Sequence, residues 1–203
     1  TGALGHWAAT HGIGLGLGHG LDRPAPAARR GVTCRGTVLL FPGRTEYIEK
    51  YGPTAADLAA LGYDVAVIDW RGQGLSDRLL PDRAPGHVAA FRDYQRDVAA
   101  LVAFARARRL PQPWFLLAHS IGGAIGLRAL IEGLPVQAAA FSAPMWGIDL
   151  GRRPHHLVRG LAAAAHAVGL GGRIAPGSSR ETLVMTSAFA PNLLTTCPDR
   201  YAW

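Results

Sequence analysis

Ser120 is the residue best placed in this chain to do chemistry, because of what stands on either side of it. The apolar run Phe115-Leu116-Leu117 stops at Ala118, His119 and Ser120 follow, and Gly122 and Gly123 open a segment, residues 124–130, rich in helix formers. The pattern predicts a strand, a sharp turn and a helix, with the serine at the apex. A serine there is pushed out beyond the sheet edge, with its hydroxyl open to substrate and its backbone in a strained conformation that only small neighbours tolerate. Ala118 and Gly122 hold the two flanking positions where a larger side chain would collide with the turn. Such a hydroxyl can attack a carbonyl and carry a covalent acyl group. The usual spacing is G-x-S-x-G, and here Ala stands first, a departure of one methyl group. The alternative reading of the pentapeptide alone is an ordinary Ser-Gly-Gly loop.

The elements around it follow from pattern. The continuous apolar run at residues 37–41 reads as a strand buried on both faces of a parallel sheet, ended by Pro42-Gly43. A helix is expected from about Tyr47 to Leu61, closed by Gly62, then a strand at residues 63–68. Residues 91–109 form a longer helix, with Tyr94, Val98, Leu101, Val102 and Ala105 at three- and four-residue spacing. Strand 114–118, helix 122–132 and strand 136–142 complete the series. Strands alternating with helices imply an α/β fold with a mostly parallel, doubly wound sheet. Ligands of such sheets bind at the carboxyl ends of the strands, where Pro42-Gly43, Asp69-Trp70, Ser120 and Ser142-Ala143-Pro144 all fall.

Upstream, Ile13, Leu15 and Leu17 alternate with glycines and predict a marginal edge strand. No helix follows, so these glycines make no dinucleotide fingerprint, and His11 and His19 read as surface residues. Residues 22–36 read as a linker. The division expected is an N-terminal edge-strand and linker region, 1–36, an α/β core, 37–146, and a cap region, 147–203.

Composition limits the function classes. At 203 residues, 49% hydrophobic and 17% charged, the chain suits one globular domain with a sizeable core. The formal charge of +7 comes from arginine, since Lys50 is the single lysine among 21 basic residues. The arginines are scattered singly or in pairs, with no basic stripe and no accompanying motif, which argues against a nucleic-acid partner. Attraction to an anionic membrane surface stays open as a secondary reading. Cys34 and Cys197 are too few for a disulfide framework or a zinc site and read as free thiols of a reducing compartment. No apolar segment is long enough to span a bilayer and no secretory signal is visible, so the expectation is a cytoplasmic protein, with peripheral contact at the inner membrane surface open. The chain starts at Thr1, which weakens the second point.

Three blocks in order, Phe41-Pro42-Gly43-Arg44-Thr45-Glu46-Tyr47, Asp69-Trp70-Arg71-Gly72-Gln73-Gly74-Leu75-Ser76-Asp77 and Ala118-His119-Ser120-Ile121-Gly122-Gly123, resemble an α/β-hydrolase of the lysophospholipase and monoacylglycerol lipase group. The run Phe141-Ser142-Ala143-Pro144-Met145-Trp146 also fits, and the likeness extends over most of residues 36–200. Pro42 stands where many relatives carry His, as in the bacterial lysophospholipase-like branch.

The resemblance implies a serine ester hydrolase acting on lysophospholipids or monoacylglycerols, with a lipid-like acyl ester as partner and neither cofactor nor metal. It makes Ser120 the nucleophile and the backbone N–H groups of Arg44 and Ile121 the oxyanion hole. Glu46 would brace the turn after the first strand, or stand as an exposed acid at a helix start. Asp69, Arg71, Gly72, Gly74 and Ser76 look structural, tying the loop beside the elbow. His119 is read as packing or hydrogen bonding, with its ring directed away from Ser120. Met145 and Trp146, together with Leu157 and Leu161 on a helix expected at 156–168, are the substrate-binding candidates. The apolar stripe Leu157, Leu161, Ala165 and Val168 would line an acyl cleft, or belong to an ordinary amphipathic helix packed on the core.

An acyl-transfer serine needs a base and an acid to orient it, and in this fold both follow the nucleophile. After Met145 the chain offers Asp149, His155, His156 and His166, all in the presumed cap, with no strand-turn-His segment. The expectation is a chain that stops in or just after the cap, before the last core strands, the acid and the base. A peptidase or small-ester hydrolase on the same fold, and a non-catalytic product, remain as alternatives. Haloalkane and epoxide chemistry is disfavoured, because such relatives carry Asp where Ser120 stands.

Overall fold

Strand β3 (Gly36–Phe41) is buried along its whole length, as its unbroken apolar run predicts. The computed structural model describes residues 4–8, 14–18, 33–149, 151, 154–174 and 197–198. Among these, β3 lies between β4 (Tyr63–Ile68) and β5 (Trp114–His119), parallel to both, and β6 (Ala138–Ser142) pairs parallel with β5. Two further strands, β1 (Leu4–Ala8) and β2 (Gly14–Gly18), extend the sheet on the β4 side, in the order β1-β2-β4-β3-β5-β6.

Helices cover both faces. Helix α1 (Gly52–Ala60) packs over Leu40, Val65 and Val67, with its own Ala55 and the preceding Ile48 buried in the same cluster. Helices α2 (Tyr94–Ala107) and α3 (Ile121–Ile131) pack on the opposite face over Leu39, Phe41, Ala66, Ile68, Leu116 and Ala118. The alternation of consecutive strand residues between the two clusters is the period of two that a strand imposes. Helix α4 (His155–Ala167) follows β6 and buries no residue.

Three expectations need correction. The N-terminal strand at 14–18 is not at the edge: β2 is paired on both sides, antiparallel to β1 and, through Leu15↔Ile68 and Leu17↔Ala66, to β4. Its interior place is set by backbone pairing with β4, distant in sequence, which local pattern does not reveal. The single helix expected from Tyr47 is a 3₁₀ turn, Ile48–Tyr51, followed by α1, because Pro53 in the first turn has no N–H to continue the earlier helix. The helix expected at 91–109 likewise opens as a 3₁₀ turn, Phe91–Asp93. His11, His19, residues 22–32 of the expected linker and most of the region after residue 174 lie outside the described residues, while Gly36, the last residue of that linker, opens β3.

Candidate active site

The turn between β5 and α3 has the strain that the sequence pattern implies. Ser120 sits at φ 51° and ψ −119°, a left-handed conformation costing a non-glycine residue about 1–3 kcal/mol unless its surroundings hold it. Three backbone bonds hold it here. Ser120 N donates to Ser142 O at 3.1 Å, and Ser120 O accepts from Gly123 N at 2.9 Å and Met145 N at 2.8 Å. The end of β6 and the turn after it therefore take part in fixing the elbow.

The two glycines after the serine answer to close approach. A Cβ on Gly122 would stand 2.3 Å from Phe41 O and 2.5 Å from Pro42 O, and one on Gly123 would stand 2.6 Å from Pro144 Cβ. Ala118 is fully buried under α3, where a Cβ on Gly126 would lie 3.5 Å from its own. Small residues at these positions let the start of α3 sit directly on the end of β3. The first N–H groups of a helix have no intrahelical acceptor, so Ile121 N is free to bind an anion beside Ser120.

The loop after β3 is tied by side-chain acceptors. Glu46 Oε2 accepts from Gly43 N at 2.6 Å and from the Tyr51 hydroxyl, while Glu46 Oε1 accepts from Lys50 Nζ. Thr45 N donates to Gln73 Oε1, and Ile48 N donates to Asp69 Oδ1 at 2.9 Å. Burial pushes the Glu46 carboxyl up, but the hydrogen bonds from Lys50 and Tyr51, the Lys50 charge and the Gly43 N–H outweigh it and hold the group below the usual carboxylate range. Burial and the Glu46 acceptor together push the Tyr51 hydroxyl far up, so it stays a donor. Glu46 is thus largely enclosed and multiply bonded, in contrast to an exposed acid at a helix start.

The second block forms the adjoining loop. Asp69 is buried, and its Oδ2 accepts from Leu75 N at 2.9 Å while its carbonyl accepts from Ser76 Oγ at 2.6 Å. Gly74, at φ 50°, passes so close to that carboxylate that a Cβ would lie 2.1 Å from its carbon. Gly72, at φ 79°, would press a Cβ to 2.8 Å from His87 O. Arg71 binds the fully buried Asp97 of α2, with Nη2 at 2.7 Å and Nε at 2.9 Å from Oδ1, and this partnership raises the guanidinium pKa. Trp70 Nε1 donates to Pro42 O at 2.9 Å and its ring stands edge-on to Phe41 at 5.1 Å, joining the second block to the first.

His119 faces away from any proton-transfer role at Ser120. Its Nδ1 donates to Ser142 O at 3.0 Å, with Ser142 Oγ at 3.3 Å, and its Nε2 lies 3.9 Å from Glu46 Oε1. Among the described residues no side chain hydrogen-bonds Ser120 Oγ, and no group of three or more His, Cys, Asp or Glu could hold a metal ion. His155 and His156 stand exposed at the start of α4, and His166 is also exposed.

Of the substrate-binding candidates, Met145 packs against the core beside the elbow, whereas Trp146 is exposed with its ring 5.6 Å from Phe141. Leu157 and Leu161 are exposed too, Leu161 by 74%. Among the described residues nothing covers these side chains of α4. Sequence reasoning gave no role to Gln73, Tyr51 and Asp97, and placed Ser142 at the strand ends without its bonds to Ser120 and His119. Asp97 alone carried a signal, as an acid amid the apolar positions of a helix.

A mostly parallel sheet wrapped on both faces, with a strained serine between strand and helix at its carboxyl edge, defines an α/β-hydrolase. The chain belongs to the family described as serine aminopeptidase, S33, whose model matches residues 33–194. It is 42% identical over 170 residues to lysophospholipase L2 of Escherichia coli K12, covering 81% of this chain and 48% of that protein. It is 34% identical over 131 residues to a probable lysophospholipase L2 of Haemophilus influenzae, covering 64% of this chain and 39% of that one. The chain thus spans about half the length of the curated relatives it matches or less. The fold is shared with a soluble variant of the Saccharomyces cerevisiae monoglyceride lipase, at TM-score 0.54 and 21% identity over 87% of this chain and 56% of that one. It is also shared with a thermostable carboxyl esterase of Bacillus coagulans, at TM-score 0.59 and 16% identity over 82% and 50%.

Proposed function

We propose that this chain supplies the nucleophile and the oxyanion-binding half of a serine ester hydrolase acting on lysophospholipids or monoacylglycerols. The observation that carries the reading is Ser120 at positive φ on the β5–α3 turn, beside the unbonded N–H of Ile121 and the tied loop of Arg44. Ser120 Oγ attacks the ester carbonyl, its proton passing to a base, and the negative charge on the carbonyl oxygen falls to the N–H groups of Arg44 and Ile121. The glycerol-side alcohol leaves, and water then frees the fatty acid from the acyl-enzyme. Each oxyanion donor is worth about a hundred- to a thousand-fold in rate. The base and acid come from outside the described residues, and the reaction calls for no cofactor.

The substrate class rests on the names of the relatives and on exposed apolar side chains beyond β6. In this reading residues 147–203 form a cap, and Met145, Trp146, Leu157 and Leu161 receive the acyl chain. The net charge of +7 supports work at an anionic membrane surface on the cytoplasmic side. The family's description as a serine aminopeptidase favours a second reading, a peptidase on the same fold.

Assay of the full-length protein that carries this chain separates the two. Lysophosphatidylcholine and monoacylglycerols should be hydrolysed and aminoacyl p-nitroanilides left intact, with Leu161→Asp raising KM for long acyl chains. Turnover of the anilides alone would establish the peptidase, and a Leu161→Asp effect on stability without one on KM would remove α4 from the cleft.

A further inference from the structure

Resting on the reading of Arg44 N–H as an oxyanion donor, we propose that Gln73 is a positioning residue for it, acting from the neighbouring loop together with Glu46. The geometry is one of alternate peptide groups. The peptide preceding Gly43 is held through Gly43 N by Glu46 Oε2 at 2.6 Å, and the peptide preceding Thr45 is held through Thr45 N by Gln73 Oε1. The peptide between them carries Arg44 N–H, which has no acceptor among the described residues. Because each peptide is a rigid plane, fixing the planes on both sides leaves the middle one little freedom to turn. Its N–H is therefore aimed and kept unbonded, the state an oxyanion donor needs before substrate arrives.

Gln73 is built for this task. Its backbone is tied at both ends, with Gln73 N donating to Trp70 O at 2.9 Å and Gln73 O accepting from Ser76 N at 3.0 Å and Arg78 Nη1 at 2.9 Å. The side chain is buried, and its Nε2 has no partner among the described residues. A flipped amide would turn that NH₂ onto the N–H of Thr45, donor against donor, so the orientation has one solution. A buried amide with an unmet donor is destabilising, and an apolar residue of equal size would avoid the cost. What the amide supplies in return is the one bond to Thr45 N, at a residue held at φ 59°, where Thr does not rest unaided.

Two variants of the full-length protein test this. Gln73→Met keeps the volume and loses the acceptor, and Gln73→Glu keeps an oxygen at the same reach. Gln73→Met should lower kcat on a p-nitrophenyl ester about tenfold or more, with KM within about twofold of wild type. It should weaken inhibition by a trifluoromethyl ketone, which forms an oxyanion on the serine, by the same factor, and Gln73→Glu should recover most of both. A Gln73→Met protein that keeps wild-type kcat, or that loses kcat without losing affinity for the ketone, overturns the proposal. Labelling the same preparations with a fluorophosphonate distinguishes the two layers. Ser120 labelled with kcat unchanged in Gln73→Met removes the role of Gln73 and leaves the nucleophile standing, whereas an unlabelled wild-type Ser120 overturns both.

Discussion

At the scale of single residues, Glu46 shows how a side chain of ordinary type acquires a particular job. Its carboxylate accepts from Gly43 N, Tyr51 and Lys50, so its charge is stabilised by the turn it braces. Its folded-state pKa is depressed below the ordinary 4.5. The stability this contributes is complete above 4.5 and is lost as the pH falls through the lower folded-state value. Glu46→Gln should flatten the acid limb of a plot of urea midpoint against pH, and an acid limb as steep as that of wild type would show that Glu46 does not drive it. The sequence left Glu46 open between brace and exposed helix-start acid, because its partners are chosen by the turn's backbone path. Gln73 was illegible for the same reason: its acceptor role depends on Thr45 N, 28 positions away.

At the scale of elements, the site depends on how closely α3 approaches β3. A Cβ on Gly122 would meet backbone oxygens of Phe41 and Pro42, which cannot swing aside as a side chain could. Gly122→Ala should therefore destabilise the protein by about 1–3 kcal/mol and displace the elbow with it. Gly160, on the exposed face of α4, has nothing within 4 Å of an added Cβ. Gly160→Ala should be neutral or stabilising by up to about 1 kcal/mol from helix propensity. Denaturant unfolding of the two variants checks both, and equal effects would contradict the contact argument. The strands and helices from residue 37 to 142 were legible because apolar periodicity is local, apart from the 3₁₀ turns that open the helices expected from Tyr47 and from residue 91. Strand β1 and the interior place of β2 were not, since antiparallel pairing to β4 is a long-range choice and glycine-rich segments carry little side-chain signal. The exposed stripe of α4 was legible as a stripe, but what it faces was not.

At the scale of the whole molecule, the described residues place the proposed nucleophile Ser120 beside the N–H groups of Arg44 and Ile121, and none of their side chains hydrogen-bonds Ser120 Oγ. Among the described residues β6 is paired on one side only, and its residues are largely exposed. On the proposed reading, in which the base and acid lie outside the described residues, residues 1–203 expressed alone should hydrolyse p-nitrophenyl esters orders of magnitude more slowly than a full-length relative, since oxyanion binding alone leaves about a thousand-fold over water in comparable triads. They should also self-associate through the open β6 edge. Monomeric residues 1–203 with turnover like that of full-length relatives would mean that a base lies within them, with His155, His156 and His166 the first to mutate. The most direct test of the central claim is the site of covalent capture. The full-length protein treated with a fluorophosphonate should carry the adduct on Ser120 by peptide mass spectrometry, and Ser120→Ala should carry none. Label retained in Ser120→Ala, or found on another residue in wild type, would contradict it.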